Sequence, residues 1–192
     1  MPIILNAMNR LQDLLDQSRI ADGLGLLLMR IYLFFPFWMG GTRKLSSPEH
    51  VIAWFDQGLG LPFPTLMFWL AALTEAVGAV LLLFGFATRW ISIPLMITML
   101  VAAFAVHWED GWYAIAQSSS EEIGVRLDRA KDILQEHGDY EWLTEYGNFA
   151  ILGNGIEFAA TYFIMLLVLF FAGGGRFLSA DYWIARKFRD SS

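Results

Sequence analysis

Apolar and polar positions divide the chain into four long apolar stretches, residues 24–41, 64–86, 88–107 and 149–172, separated by polar segments. Each holds about 18–24 residues, which at a rise of about 1.5 Å per residue is enough for one crossing of a bilayer. If the 13 basic and 19 acidic residues were spread evenly, about 14 would fall inside these stretches, yet only Arg30, Glu75 and Glu157 do, with Arg89 at an edge. That depletion is what a hydrocarbon solvent demands. The pattern therefore predicts an all-α integral membrane protein, a four-helix bundle with an N-terminal interfacial helix and a helical acidic outer loop.

The segments between the stretches fit this frame. Residues 1–22 are amphipathic, with Ile4, Met8, Leu11 and Leu15 at helical spacing and Asn9, Gln12, Asp13 and Asp16 elsewhere, as in a helix lying on a membrane surface. The first span, Gly23 to Gly41, ends in Trp38, Gly40 and Gly41 and then Arg43-Lys44, after which a loop follows. Ser47-Pro48 then reads as the start of a short interfacial or re-entrant helix carrying Val51, Ile52, Trp54 and Phe55. The Gly85-to-Arg89 link is so short that spans two and three must be antiparallel neighbours. In the 108–148 segment, Ser119 and Glu122 fit a capping box, Ile123, Leu127, Ala130 and Leu134 repeat at helical spacing, and His137-Gly138 reads as a stop.

Composition sharpens this picture. Of 192 residues 56% are hydrophobic and 17% charged, against about 25% charged in an average soluble domain. A disordered chain, a coiled coil and a nucleic-acid binder are excluded. The net charge of −6 resides in one place: residues 108–148 hold ten acidic and three basic residues, so the remainder is nearly neutral. Basic residues in the N-terminal arm, the 85–90 link and the tail (Arg10, Arg19, Arg89, Arg176, Arg186, Lys187, Arg189) outnumber those on the other side, Arg43, Lys44, Arg126, Arg129 and Lys131. The positive-inside rule then predicts both termini cytoplasmic, the 173–192 tail included, and the acidic loop extracytoplasmic, in a multi-pass membrane protein. No cleaved signal peptide is expected from the first 23 residues. With no cysteine, the chain has no disulfide, thiolate metal site or thiol redox chemistry.

An ionisable side chain inside a membrane is a functional candidate by default. Glu75 falls near the middle of span two. Glu157, one turn after Asn154, falls about eight residues below the outer end of span four, with His107 where span three leaves the membrane on the same side. Together Glu75, Glu157, Asn154 and His107 would make a polar chamber suited to proton relay, to an oxygen- and imidazole-bound metal or to a quinone carbonyl. Arg30 lies about six residues into span one. Each residue also has a structural alternative: an interhelix hydrogen bond for Glu75 and Glu157, snorkelling for Arg30, an interface anchor for His107. Direct Arg30–Glu75 contact is disfavoured, because side chains lean toward helix N-termini and these two would lean apart. No haem or metal site is expected. His107 lacks an obvious axial partner, and Met96 and Met99 on one helix face fit packing.

These residues, in order, resemble the DoxX family of bacterial membrane proteins, related to the DoxD subunit of thiosulfate:quinone oxidoreductase. The resemblance rests on Arg30, Gly41-Thr42-Arg43-Lys44, the Gly60-to-Pro64 lead-in, Glu75 with Gly78, Gly85-Phe86-Ala87-Thr88-Arg89, His107, and the tail Gly173 to Asp181. Ala105-Val106-His107-Trp108 with Trp112, and Tyr146-Gly147-Asn148-Phe149, are most similar to the HvfX branch, linked to copper-binding peptides. The acidic stretch between Trp112 and Tyr146 and the Ser179-Ala180-Asp181 ending (Ser-Leu-Asp in the family) depart from that pattern. The resemblance implies a redox-associated accessory subunit of the bacterial inner membrane, with the lipid bilayer and other protein subunits as partners, one that would bind quinone or relay protons; the catalytic candidates Glu75, His107 and Arg30 come from their placement within or at the edge of the spans. Two alternatives stay open: an accessory protein in copper-peptide maturation or copper stress, and a structural subunit of a larger membrane complex.

Overall fold

The computed structural model describes residues 2–17, 21–116 and 120–188, with the side chains of residues 2–7, 14 and 17 excepted; Arg19, Ser119, Arg189 and the side chain of Ile4 lie outside the described residues. The chain is all-α. Helices α1 (Pro2–Gln17), α2 (Asp22–Ser46), α3 (Pro48–Ala53), α4 (Pro64–Phe84), α5 (Thr88–Val101), α6 (Glu121–His137), α7 (Tyr140–Leu143), α8 (Glu157–Ala172) and α9 (Ala180–Phe188) follow one another. A π-helical turn, Trp54–Gly58, extends α3, and another, Ala102–Val106, extends α5. Among the described residues, three helices are long and apolar enough to cross a membrane: α2, α4 and the continuous Thr88–Val106 segment. This is a membrane protein. The chain divides into two units, one of residues 1–96 and 164–192, the other of residues 97–163.

In the first unit, α2 and α4 pack along a seam that the sequence writes in steps of three and four. Arg30, Leu33, Phe37 and Gly41 are buried on α2, and Phe68, Ala72, Glu75, Ala79 and Leu82 on α4. Between helices that span lipid, apolar area supplies no drive to associate, so close packing and interhelical polar contacts must hold the seam. Gly41 shows how close: a Cβ there would sit 2.5 Å from the backbone nitrogen of Ala76. Near the start of α4, Phe55, Phe68 and Ala72 form a small core roofed by Val51, Ile52, Leu59 and Leu61, so the short α3 segment covers the first half of α4.

Two expectations need correction. The first span does not stop at Gly41. Helix α2 runs to Ser46, carrying Arg43 and Lys44 within it. Its glycines sit at a helix contact and do not mark an end. The stop comes from Pro48, which disfavours helical geometry at the residue before it; Ser47 has φ −141° and ψ 62°. The fourth apolar stretch, read as one helix over 149–172, is helical only from Glu157. Residues 151–157 instead lie against residues 111–116 in the second unit. Ala116 donates to the Ile151 carbonyl, Gly153 to Ala114, Gly155 to Tyr113, Ile156 to Gly111 and Glu157 to Trp112, at 2.8–3.1 Å. Ile115 and Leu152 form an isolated antiparallel bridge. Glycine permits this approach, since a Cβ on Gly155 would meet the Gly111 and Trp112 backbone at 2.7 Å, and Asn154 takes a left-handed φ of 60°. The remaining helix has 16 residues, about 24 Å, short of a typical hydrocarbon core.

Elsewhere in the second unit, α6 begins at a cap one residue beyond the expected serine: Ser120 Oγ accepts from the Glu122 N–H at 3.1 Å. It ends at His137, and the Gly138 N–H donates to the Leu134 carbonyl.

Candidate functional site

The ionisable residues of the spans separate into distinct settings. Arg30 is fully buried, at 0% exposure, which rules out snorkelling to solvent. One terminal nitrogen, Nη2, donates to the Phe177 carbonyl at 2.7 Å, and Nη1 reaches the carbonyls of Leu82, Leu83 and Leu178 at 3.3 Å. Leu82 and Leu83 belong to the last turn of α4, where carbonyls lack intrahelical partners and the helix dipole is negative, so a guanidinium there is a C-terminal cap. Gly85 ends α4 in the left-handed region, φ 59°, and the Phe86 N–H closes back on the Leu81 carbonyl at 2.9 Å. A Cβ on Gly85 would strike Arg30 Nη1 and Ser179. Only glycine meets both demands.

The tail completes this junction. Both carboxylate oxygens of Asp181 accept backbone bonds, from Ala87 at 2.7 Å and Thr88 at 2.8 Å, and so cap the start of α5. The Asp181 N–H and the Ser179 hydroxyl donate to the Gly85 carbonyl at 2.9 and 3.1 Å. The glycine-rich tail and the Gly85-to-Arg89 link are thus two halves of one hydrogen-bonded joint, with Arg30 bridging them.

Glu75 is set differently. It is the twelfth residue of α4, about 16 Å from the helix start and near its middle. It is 5% exposed. Its Oε2 lies 2.5 Å from Nζ of Lys44, whose side chain is 25% exposed. A carboxylate buried alone among apolar helices is costly, and the ammonium supplies the balancing charge. Gly40 gives the pair its room, since a Cβ there would lie 2.9 Å from Glu75 Oε2 and 3.7 Å from Lys44 Nζ. The expected separation of Arg30 from Glu75 is observed: the arginine is held by carbonyls, the glutamate by Lys44.

Lys44 is the residue that sequence reasoning missed. Ending the first span at Gly41 put Lys44 just beyond it, on the outer side. The signal was the spacing: Leu33, Phe37 and Gly41 mark the buried face of α2, and Lys44, three residues further on, continues it.

In the second unit, Glu157 is the first residue of α8, not eight residues inside a span. Its Oε2 accepts from the Ala114 N–H at 2.9 Å, and a carboxylate suits a helix N-terminus. Asn154 is exposed, with Nδ2 3.4 Å from an Asp110 oxygen. His107 follows the π-helical turn of α5 and is half-buried; its Nδ1 is buried with no hydrogen-bond partner among the described residues. Glu157 and Asn154 are therefore held by the 110–114 loop. No group of three His, Cys, Asp or Glu side chains among the described residues could hold a metal.

Comparison with known proteins bears on the segment that contains Arg30, Lys44 and Glu75. Residues 25–108 match the DoxX family model. That segment, 84 of the 192 residues, is similar to a DoxX domain. Across 83 residues the chain is 32% identical to "Putative oxidoreductase CatD" of Bacillus subtilis (strain 168), covering 43% of this chain and 60% of that relative. The chain thus aligns with less than two thirds of the relative's length. No solved structure matches. The DoxX segment ends just after His107, so the acidic loop, α8 and the capping Asp181 lie outside it.

Proposed function

We propose that this DoxX protein is a redox-associated accessory subunit of the bacterial inner membrane whose Lys44–Glu75 pair binds a quinone headgroup and exchanges protons with it. A partner protein supplies the electrons, and both termini face the cytoplasm. The observation that carries the reading is the ion pair itself, the one place in α2 and α4 where two side chains of exchangeable protonation meet inside an apolar seam. The ammonium is a donor for a quinone carbonyl, and Glu75 is an acceptor for a quinol hydroxyl. Reduction to the quinol takes two electrons from the partner and two protons; the pair passes on the proton it shares and is recharged from water. The bare α-carbon of Gly40 beside Glu75, together with the partial exposure of Lys44, leaves an approach for a lipid-soluble ring. The name of the CatD relative supports the redox setting. Asn154, Glu157 and His107 are not used in this reading.

The test is binding of a short-chain ubiquinone to the purified full chain, followed by quenching of tryptophan fluorescence. Glu75→Gln and Lys44→Met should each weaken binding about ten-fold or more, the equivalent of ~1.4 kcal/mol, with helical content kept. Unchanged affinity in both variants overturns the proposal.

A further inference from the structure

A second polar feature of the first unit serves neither the seam nor the ion pair. Beside the joint at the α4–α5 link is a cleft of about 410 Å³ walled by Arg89, Trp90, Gly173, Gly174, Ile184 and Phe188. We propose that this cleft is a binding site for the phosphodiester headgroup of an anionic membrane lipid, with Arg89 as its charge partner.

Arg89 is held ready for such a ligand. Its Nε donates to the Phe170 carbonyl at 2.8 Å, and its guanidinium carbon lies 5.8 Å from the centre of the Phe170 ring. The side chain is thereby fixed, while among the described residues its two terminal nitrogens carry no hydrogen bond. Those nitrogens form the planar fork that grips phosphate oxygens in pairs. Asp181 also borders the cleft, but both of its oxygens are engaged by the Ala87 and Thr88 N–H groups, and those amide dipoles offset its charge. On α9, Ile184, Ala185 and Phe188 share the cleft face. Arg186 and Lys187 lie on the same short helix and stack on the Trp183 and Phe188 rings, adding positive potential close by.

Location favours a lipid over a soluble anion. Arg89 is the second residue of the membrane-length segment Thr88–Val106, and Gly173 directly follows the apolar helix α8. The cleft therefore opens where helices leave the hydrocarbon. Trp90, 77% exposed, and Phe188 flank it with apolar surface of the kind that sits at headgroup level. A phosphate bound at Arg89 would direct its glycerol and acyl chains over these rings. Anionic lipids are drawn to basic residues at this depth.

Native mass spectrometry of the full chain in detergent tests the assignment, with dioleoylphosphatidylglycerol, dioleoylphosphatidylcholine and inorganic phosphate as probes. The wild type should retain phosphatidylglycerol about five-fold or more over phosphatidylcholine, the scale expected of one basic residue near a charged headgroup. Arg89→Gln should abolish that preference. Ala185→Phe, which fills the cleft and keeps every charge, should abolish it too, and Arg89→Lys should retain part of it. Equal retention of both lipids, an undiminished preference in Arg89→Gln, or competition by millimolar inorganic phosphate would each overturn the proposal. Quinone binding should be unaffected in all three variants.

Discussion

Replacing Arg30 separates an architectural arginine from a catalytic one. Arg30→Met keeps much of the side-chain volume and removes every donor. The bond from Nη2 to the Phe177 carbonyl, at 2.7 Å, is short and charge-assisted, a class that contributes about 1.5–3 kcal/mol. The Nη1 contacts at 3.3 Å share one nitrogen among three carbonyls, so they count together as about one ordinary bond, ~1 kcal/mol. The Leu82 carbonyl still receives the Gly85 N–H, and Phe177 and Leu178 are exposed, so little desolvation cost is added. The expected loss is about 2.5–4 kcal/mol, or a fall of about 5–16 °C in melting temperature by the scaling for soluble chains of this length. Thermal unfolding in detergent, followed by circular dichroism, reads it directly. Arg30→Lys keeps the charge but offers a single nitrogen in place of the fork and should recover only part of the loss. If Arg30→Met melts with the wild type while quinone binding collapses, the capping account is wrong and the arginine belongs to the site.

Two further outcomes follow from the packing. Gly41→Val must push α2 away from the Ala76 backbone and should destabilise by about 1–3 kcal/mol or more, whereas Gly25→Ala, with nothing within 4 Å of the added methyl, should be neutral or stabilising by up to about 1 kcal/mol in the same unfolding assay; equal melting temperatures would refute the close contact. Glu157→Ala should free the Ala114 N–H, seen as faster hydrogen exchange in a peptide covering residues 111–116, and unchanged exchange there would mean that the Glu157 carboxylate does not hold the loop.

The apolar pattern made the helical, membrane-spanning character legible because a hydrocarbon solvent leaves few alternatives: charges are excluded, and the backbone must satisfy itself. The same pattern misplaced two boundaries. Across 149–156 the segment is as apolar as a helix, but its polar backbone groups are satisfied by residues 111–116, a partner nearly forty positions away that no local period reveals. At Gly40-Gly41 the glycines looked like punctuation. They are where two helices touch, and a contact glycine cannot be told from a terminal one without knowing which helix lies opposite.

The functional candidates were chosen by one rule, that an ionisable group within a span carries function, and the structure shows why that rule is too coarse. Arg30 satisfies it yet bonds only to main-chain carbonyls. A guanidinium keeps its proton in proteins, and a carbonyl has none to exchange, so the arginine can hold a joint together but cannot relay a proton through it. Glu75 satisfies the same rule with an amine as its partner, and either member can change protonation state. The distinction lies in the partner. Glu75 and Lys44 are 31 positions apart, and they meet because α2 continues past Gly41, the glycine at which the apolar stretch appears to end, as far as Ser46. Among the side-chain pairs of the α2–α4 seam, Lys44–Glu75 is thus the one whose members can exchange a proton, and it forms because Lys44 lies within α2.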